Sequence, residues 1–276
     1  MKSIDSIQNA PIGVFDSGVG GLTVAREIMR QLPKEKLVYF GDTARVPYGS
    51  KSQTTIIRYT KQIVRFLQTK QVKAIVVACN TASAFALEEV AKTLDIPIIG
   101  VVKPGAKVAA ETTKNGKIGV IGTEGTIDSK IYTRVIHLQN EKAQVLGKAC
   151  PLFVPLVEEG WINDPVTVQV AQRYLAPLID TGIDTLIMGC THYPLIRSTI
   201  QDVLGEGVQL INPAYETART LTQLLEEQDL LNKENSFSKN QYEFYVSDAA
   251  EKFMKFADSI LPYDVDTTKL IPIEEY

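Results

Sequence analysis

The stretch IGVFDSG at residues 12–18 is an apolar run that ends in a polar loop, and it recurs in the second half of the chain as IGVIGTE at residues 118–124. Continuous apolar runs with β-branched residues are typical of strands buried on both faces of a parallel sheet. Ser17 and Thr123 stand at matching positions in the two loops. The recurrence indicates that one half of the chain repeats the other.

Two further pairs of segments match in the same order along the chain. VVACNTAS at 76–83 corresponds to LIMGCTHY at 186–193, and GVVKPGAKVA at 100–109 corresponds to QLINPAYETA at 209–218. Apolar strand ends are common, so chance similarity is the alternative interpretation. Three correspondences at nearly one offset, one of which aligns two cysteines, favour two related units.

Apolar runs alternate with amphipathic stretches, which is the pattern of βαβ units. The predicted strands span 11–15, 36–41, 74–79, 96–102, 117–122, 184–190 and 208–212. The predicted helices span 22–32, 53–69, 83–94, 127–138, 166–180 and 215–231. The sequence therefore predicts an α/β fold of two pseudo-symmetric lobes with mainly parallel sheets. Since ligands of such sheets bind outside the carboxyl ends of the strands, the active site is expected in the cleft between the lobes.

Composition and charge limit the partners. The 276 residues are 45% hydrophobic and 22% charged, as expected of a globular protein with a substantial core. The net charge is −3 with no long basic run, which argues against nucleic acid, whose binding needs phosphate neutralisation. The N-terminus lacks the apolar core of a signal peptide, and no stretch reaches the roughly 18 apolar residues of a membrane helix. We expect a cytoplasmic protein with a small-molecule partner and no membrane partner.

The three cysteines are Cys79, Cys150 and Cys190, and an odd, widely spaced set does not make a disulfide framework. Taken singly, a cysteine at a strand end is more often a small buried apolar residue than a reactive group. Cys79 and Cys190 end matching strands, however, and two thiols on opposite faces of a carbon acid suit inversion of a stereocentre: one thiolate removes a proton and the opposite thiol supplies another. Cys150 lacks a partner motif.

The two histidines differ in their surroundings. His192 lies two residues after Cys190 and precedes Tyr193-Pro194, which mark a turn, so it is a candidate partner of the thiol. His137 falls in a predicted helix with no polar cluster nearby, which favours a structural or surface role.

Polar loops after other strands supply further candidates. The loop DSGVGGLT at 16–23 could cradle an anion or form a tight turn, and Asp16 could assist a thiol, bind an ammonium group or cap the helix. Its glycine spacing departs from the dinucleotide fingerprint, and no Walker lysine follows. In GDTARVPYGSKS at 41–52, Tyr48 and Gly49 offer a hydroxyl and a backbone N–H to a carboxylate. The acids of PLVEEGW at 155–161 are either solvated surface or a cleft acid beside His192.

The chain resembles the cofactor-independent aspartate/glutamate racemase family through FDSGVGGLT, GDTARVPYG, ACNTAS, PLVEEG and GCTHYPL, from about residue 12 to 215. The resemblance implies interconversion of L- and D-glutamate without pyridoxal, other cofactor or metal, with D-glutamate used in bacterial peptidoglycan synthesis. It implies that Cys79 and Cys190 are the catalytic acid/bases, assisted by Asp16 and His192 respectively, and that Glu158 is a further cleft acid. The implied substrate contacts are Asp16, Ser17, Tyr48, Gly49, Asn80, Thr81, Thr191 and His192.

The resemblance also implies that the segment after about 213 returns to the first lobe. The expected lobes are therefore 1–103 with 213–276, and 104–212. A homodimer is expected, with an interface that the sequence does not locate.

Four other functions are compatible with parts of the pattern. A related racemase or isomerase could act on aspartate, hydantoins or maleate, and the feature that distinguishes these substrates from glutamate is the substrate pocket. Thiol redox or sensing is a second possibility, but Cys79 and Cys190 lack the C-x-x-C spacing that is typical of such sites. A solute-binding module needs no opposed thiols, and a cysteine hydrolase with His192 as base needs only one.

Overall fold

The computed structural model describes residues 4–233, 241–262, 265 and 267–276. Within these residues the strands form a six-stranded and a four-stranded sheet, and every strand pairing is parallel. The α/β fold class and the mainly parallel sheets predicted from the sequence are confirmed. We call the parts built on the six-stranded and the four-stranded sheet the first lobe and the second lobe.

The strands are β1 Ile12–Asp16, β2 Leu37–Gly41, β3 Ala74–Val77, β4 Ile98–Gly100, β5 Lys117–Gly122, β6 Gln144–Ala149, β7 Thr185–Gly189, β8 Gln209–Ile211, β9 Tyr242–Val246 and β10 Thr268–Leu270. The helices are α1 Ile4–Gln8, α2 Leu22–Gln31, α3 Gln53–Thr69, α4 Asn80–Phe85, α5 Leu87–Ala91, α6 Val102–Thr112, α7 Glu124–Asp128, α8 Ile131–Gln139, α9 Phe153–Glu158, α10 Pro165–Ile179, α11 Arg197–Leu204, α12 Pro213–Glu227 and α13 Ala250–Ile260.

The internal repeat appears as repeated topology. The first sheet contains the order β2-β1-β3-β4, and the second sheet has the order β6-β5-β7-β8. The matching sequence stretches therefore occupy equivalent strands, with β1 equivalent to β5 and β3 equivalent to β7. As a result, the loops that carry the two aligned cysteines leave equivalent positions in the two sheets.

The C-terminal segment extends the first sheet at one edge. Strand β9 pairs with β2, and β10 pairs with β9. Helix α12 packs against α2, and its buried Ala218 and Leu221 belong to the same apolar core as Leu22. The exact lobe boundaries at 103/104 and 212/213 stay a prediction.

One strand that the apolar pattern does not predict is β6, and two of the predicted helices are each divided in two. Strand β6 lies at the edge of its sheet and is only partly buried, so polar residues interrupt its apolar pattern. The helix predicted at 127–138 is two helices, α7 and α8, because Lys130 between them adopts a left-handed backbone conformation with φ of 52°. The helix predicted at 83–94 is also two helices, α4 and α5, which meet at Ala86.

In the described part of the chain no helix is both long and apolar enough to cross a membrane.

Candidate active site

A cavity of about 420 Å³ opens between the lobes at the carboxyl ends of the strands. Both cysteine loops contribute to its wall. The residues proposed from the sequence that line it are Ser17, Tyr48, Gly49, Cys79, Asn80, Thr81, Glu158, Cys190, Thr191 and His192. The two thiols, which are 111 positions of chain apart in repeat-related loops, thus face one space.

Cys79 follows β3 and forms the N-terminal cap of α4. The backbone N–H of Ala82 donates to its Sγ at 3.5 Å, and the thiol donates to Ser17 Oγ at 3.7 Å. Burial raises the pKa of the Cys79 thiol to about 12, and the charge of nearby Asp16 acts in the same direction. This environment favours the protonated form of Cys79.

Cys190 follows β7 and has an imidazole as its partner. Its Sγ lies 3.8 Å from His192 Nδ1, and His192 Nε2 lies 3.1 Å from Glu158 Oε1. Burial on its own would lower the pKa of His192, but the hydrogen bonds with Cys190 and Glu158 outweigh it and raise the pKa to about 10. The hydrogen bond with His192 in turn lowers the pKa of Glu158. An imidazolium beside a sulfur is a setting that stabilises thiolate.

Asp16 lies beneath the cavity and does not form its surface. It ends β1 and is fully buried, and its Oδ2 accepts a hydrogen bond from the Gly18 N–H at 3.0 Å. Among the described residues no group hydrogen bonds to its Oδ1. Burial raises the pKa of the Asp16 carboxyl above its usual range. Asp16 therefore does not line the cavity, and its charge contributes to the raised pKa of Cys79.

Tyr48 and Gly49 line the cavity, but the loop sequence does not reveal the hydrogen bonds that they make. The Tyr48 hydroxyl donates to the buried carboxylate of Asp42, which Arg45 also holds through its Nε. The Gly49 carbonyl accepts the Gly125 N–H at 2.8 Å, which joins the lobes at this rim.

Thr123 lines the cavity and contacts Thr81 across the lobes, with their Oγ1 atoms 2.9 Å apart. Its position as the repeat mate of Ser17 was the signal that could have identified it as a site residue. Apolar residues of both lobes also line the cavity, and the sequence did not single them out as site residues. They are Val46, Pro47, Pro151, Val154 and Pro155.

Two residues set aside in the sequence lie outside this wall. His137 Nε2 is 3.0 Å from the Ala143 carbonyl oxygen, at the end of α8. Cys150 is fully buried, and its thiol donates to the Lys148 carbonyl at 3.6 Å. All three cysteines are free thiols.

The sequence profile of the Asp/Glu/Hydantoin racemase family matches residues 12–221, which include both cysteine loops. The chain belongs to this family. As a member of the Asp/Glu/hydantoin racemase family it is a racemase, an enzyme of the isomerase class.

Relatives of this family member cover nearly its whole length. A glutamate racemase from Geobacter metallireducens is 49% identical over 250 residues, which are 91% of this chain and 92% of the relative. The crystal structure of a glutamate racemase isoform from Bacillus anthracis gives a TM-score of 0.92 at 42% identity and covers 96% of this chain and 98% of that one. The glutamate racemase from Francisella tularensis, solved in complex with D-glutamate, gives a TM-score of 0.90 at 40% identity. The match covers 98% of this chain and 100% of that one.

The raised pKa of His192 gives a first prediction. Glu158→Gln is expected to lower it from about 10, because a neutral amide no longer stabilises the imidazolium. Since the pKa in the folded state lies above the ordinary value of 6.5, the stability that the charged His192 contributes is complete below about pH 6.5. It is lost as the pH rises through about 10.

NMR titration of the His192 ring carbons in wild type and Glu158→Gln measures this shift. With only two histidines in the chain, His137→Gln assigns the signals. An unchanged His192 titration in Glu158→Gln would show that the carboxylate does not support the imidazolium.

Proposed function

We propose that this chain is a glutamate racemase that interconverts L- and D-glutamate by two-base proton transfer, with Cys79 and Cys190 as the bases. One observation carries the proposal: the two thiols leave equivalent strands of the two lobes and line the same cavity. The relatives support the substrate, because the similar proteins from Geobacter metallireducens and Bacillus anthracis are glutamate racemases and the Francisella tularensis relative was solved with D-glutamate.

The reaction needs one thiolate and one thiol on opposite sides of Cα. The thiolate takes the α-proton, the C–H electron pair passes into the carboxylate system, and the opposite thiol returns a proton from the other face. Each turnover leaves the two cysteines with exchanged protonation states, and the reverse reaction restores them. Burial and the charge of nearby Asp16 raise the pKa of Cys79 and so favour its thiol form, while His192 Nδ1 lies 3.8 Å from the Cys190 Sγ, where an imidazolium can stabilise the negative charge of a thiolate.

The polar part of the cavity suits an amino acid with two carboxylates. Hydroxyl groups of Ser17, Thr81 and Thr191 surround the thiols, and their hydrogen bonds to the α-carboxylate stabilise the charge that develops there, while the Asn80 amide binds a substrate carboxylate. Glu158 and Asp16 supply the negative charge that favours the substrate ammonium group.

We propose further that the D-glutamate enters bacterial peptidoglycan synthesis, that the enzyme works as a cytoplasmic homodimer, and that the two predicted lobes are its structural units. The family resemblance supports the pathway and the dimer.

Incubation with L-glutamate in deuterated water tests the reaction. We expect the purified protein, without added pyridoxal phosphate, to form D-glutamate that carries deuterium at Cα. At low conversion the remaining L-glutamate should carry none, because the proton is removed on one face and delivered on the other. Chiral chromatography with mass spectrometry measures both pools. No D-glutamate would refute the proposed substrate, and equal labelling of both pools would refute two separate bases; aspartate and hydantoins would then be tried.

A further inference from the structure

Tyr132 connects the second lobe to the loop of the first cysteine. It lies in α8, is 3% exposed, and its hydroxyl donates to Asn80 Oδ1 at 2.6 Å. Asn80 directly follows Cys79 and lines the cavity. A side chain of one lobe thus holds the residue next to the catalytic thiol of the other.

The ring of Tyr132 also contacts the second cysteine loop. A Cβ placed on Gly189 would lie 3.1 Å from Tyr132 Cε2, so the ring packs directly on the backbone of that glycine. Gly189 immediately precedes Cys190. One tyrosine therefore touches the chain beside both thiols.

The hydrogen bond determines which end of the Asn80 amide faces the cavity. Burial raises the pKa of Tyr132, so its hydroxyl stays protonated and needs an acceptor. Asn80 Oδ1 fills that role. The Nδ2 group, which carries two N–H donors, is then the end available to a ligand in the cavity. A carboxylate only accepts hydrogen bonds, so this orientation is the one that binds it.

We infer that Tyr132 is a positioning residue for the proposed racemisation: it holds Asn80 with its amide nitrogen toward a substrate carboxylate. This inference rests on the proposed function. It predicts that Tyr132 contributes to substrate binding through Asn80, although Tyr132 is absent from the cavity wall.

A double-mutant cycle tests the inference. Tyr132→Phe removes the hydroxyl and keeps the ring, and we expect it to raise KM for glutamate about tenfold, as for loss of one well-placed hydrogen bond to a charged group, while kcat changes less. Asn80→Ala is expected to raise KM at least as much. In the Asn80→Ala background, Tyr132→Phe should change KM less than about twofold, because the group through which it acts is gone.

Tyr245→Phe is the matched control. Tyr245 is 2% exposed, and its hydroxyl is bonded to Glu243 and Lys70 outside the cavity. The midpoint temperature of thermal unfolding should fall by similar amounts in both Tyr→Phe variants, and KM should rise only in Tyr132→Phe. A general loss of stability would not produce this difference.

The outcomes separate the inference from the proposed function. If the wild type racemises glutamate but Tyr132→Phe leaves KM unchanged, or raises it by the same factor with and without Asn80, the inference is wrong and the function stands. If the wild type does not act on glutamate, both are wrong.

Discussion

Replacement of Cys79 by serine, or of Cys190 by serine, is expected to lower kcat/KM for glutamate racemisation by about 10³-fold or more in both directions. In the proposed mechanism each cavity-facing thiol is one of the two proton-transfer groups, and a hydroxyl is a far weaker acid than a thiol. Because inversion needs both groups, the cysteine that remains in each variant cannot replace the missing one. Polarimetry or circular dichroism at the amino-acid band measures the loss.

The two serine variants should also differ from each other. Each keeps one thiol, which can still exchange the α-proton of the enantiomer that presents Cα–H to it. We therefore expect slow deuterium incorporation with retention, into one enantiomer for Cys79→Ser and into the other for Cys190→Ser, followed by proton NMR. Incorporation into the same enantiomer in both variants would contradict opposed bases.

Cys150→Ala is the matched control for the thiols. Cys150 is as buried as the other two cysteines but does not line the cavity. We expect activity close to that of the wild type. If all three variants lose activity alike, the effect comes from packing, and a mechanism by two particular thiols loses its support.

Gly20→Ala is expected to lower activity by about 10²-fold, because a displacement of about 1 Å at reacting groups can cost that much. A Cβ on Gly20 would lie 2.4 Å from both His192 Cε1 and Thr191 Oγ1, and 2.5 Å from His192 Nδ1. These atoms belong to the opposite lobe, so the methyl group must push away the imidazole that partners Cys190. The glycines of the 16–23 loop thus permit close approach of the lobes.

Gly207→Ala controls for the loss of a glycine. A Cβ at Gly207 meets nothing within 4 Å, and we expect wild-type kinetics there. Circular dichroism and thermal unfolding should show that Gly20→Ala is folded, and NMR should show an altered His192 titration. If Gly20→Ala keeps full activity, the imidazole position matters less than the contacts with Cys190 and Glu158 indicate.

Much of the site could be predicted from the sequence because it lies at strand ends. The apolar runs before Cys79 and Cys190 indicate buried strands, and parallel strands bring their carboxyl ends to one edge. The repeat then relates the two loops by an approximate symmetry. These local features require only the order of residues along each strand.

The burial depth and the orientation of individual side chains in the site could not be predicted in this way. The loop sequence offers Asp16 as a cavity carboxylate and the Tyr48 hydroxyl as a ligand donor. In the structure Asp16 is fully buried under the wall, and the Tyr48 hydroxyl is bonded to Asp42. Both depend on which neighbours fill the space around a side chain, which periodicity does not record.

The sequence by itself determined the parallel α/β lobes, their internal repeat and the pair of thiols, since each follows from burial patterns and residue order within single elements. Only the tertiary structure decided that His192 lies between Cys190 and Glu158, that Gly20 must lack a side chain, and that Tyr132 reaches Asn80. The physical reason is that these contacts depend on tertiary packing: Glu158 reaches His192 within the second lobe, whereas Gly20 meets His192, and Tyr132 meets Asn80, only where the two lobes pack against each other.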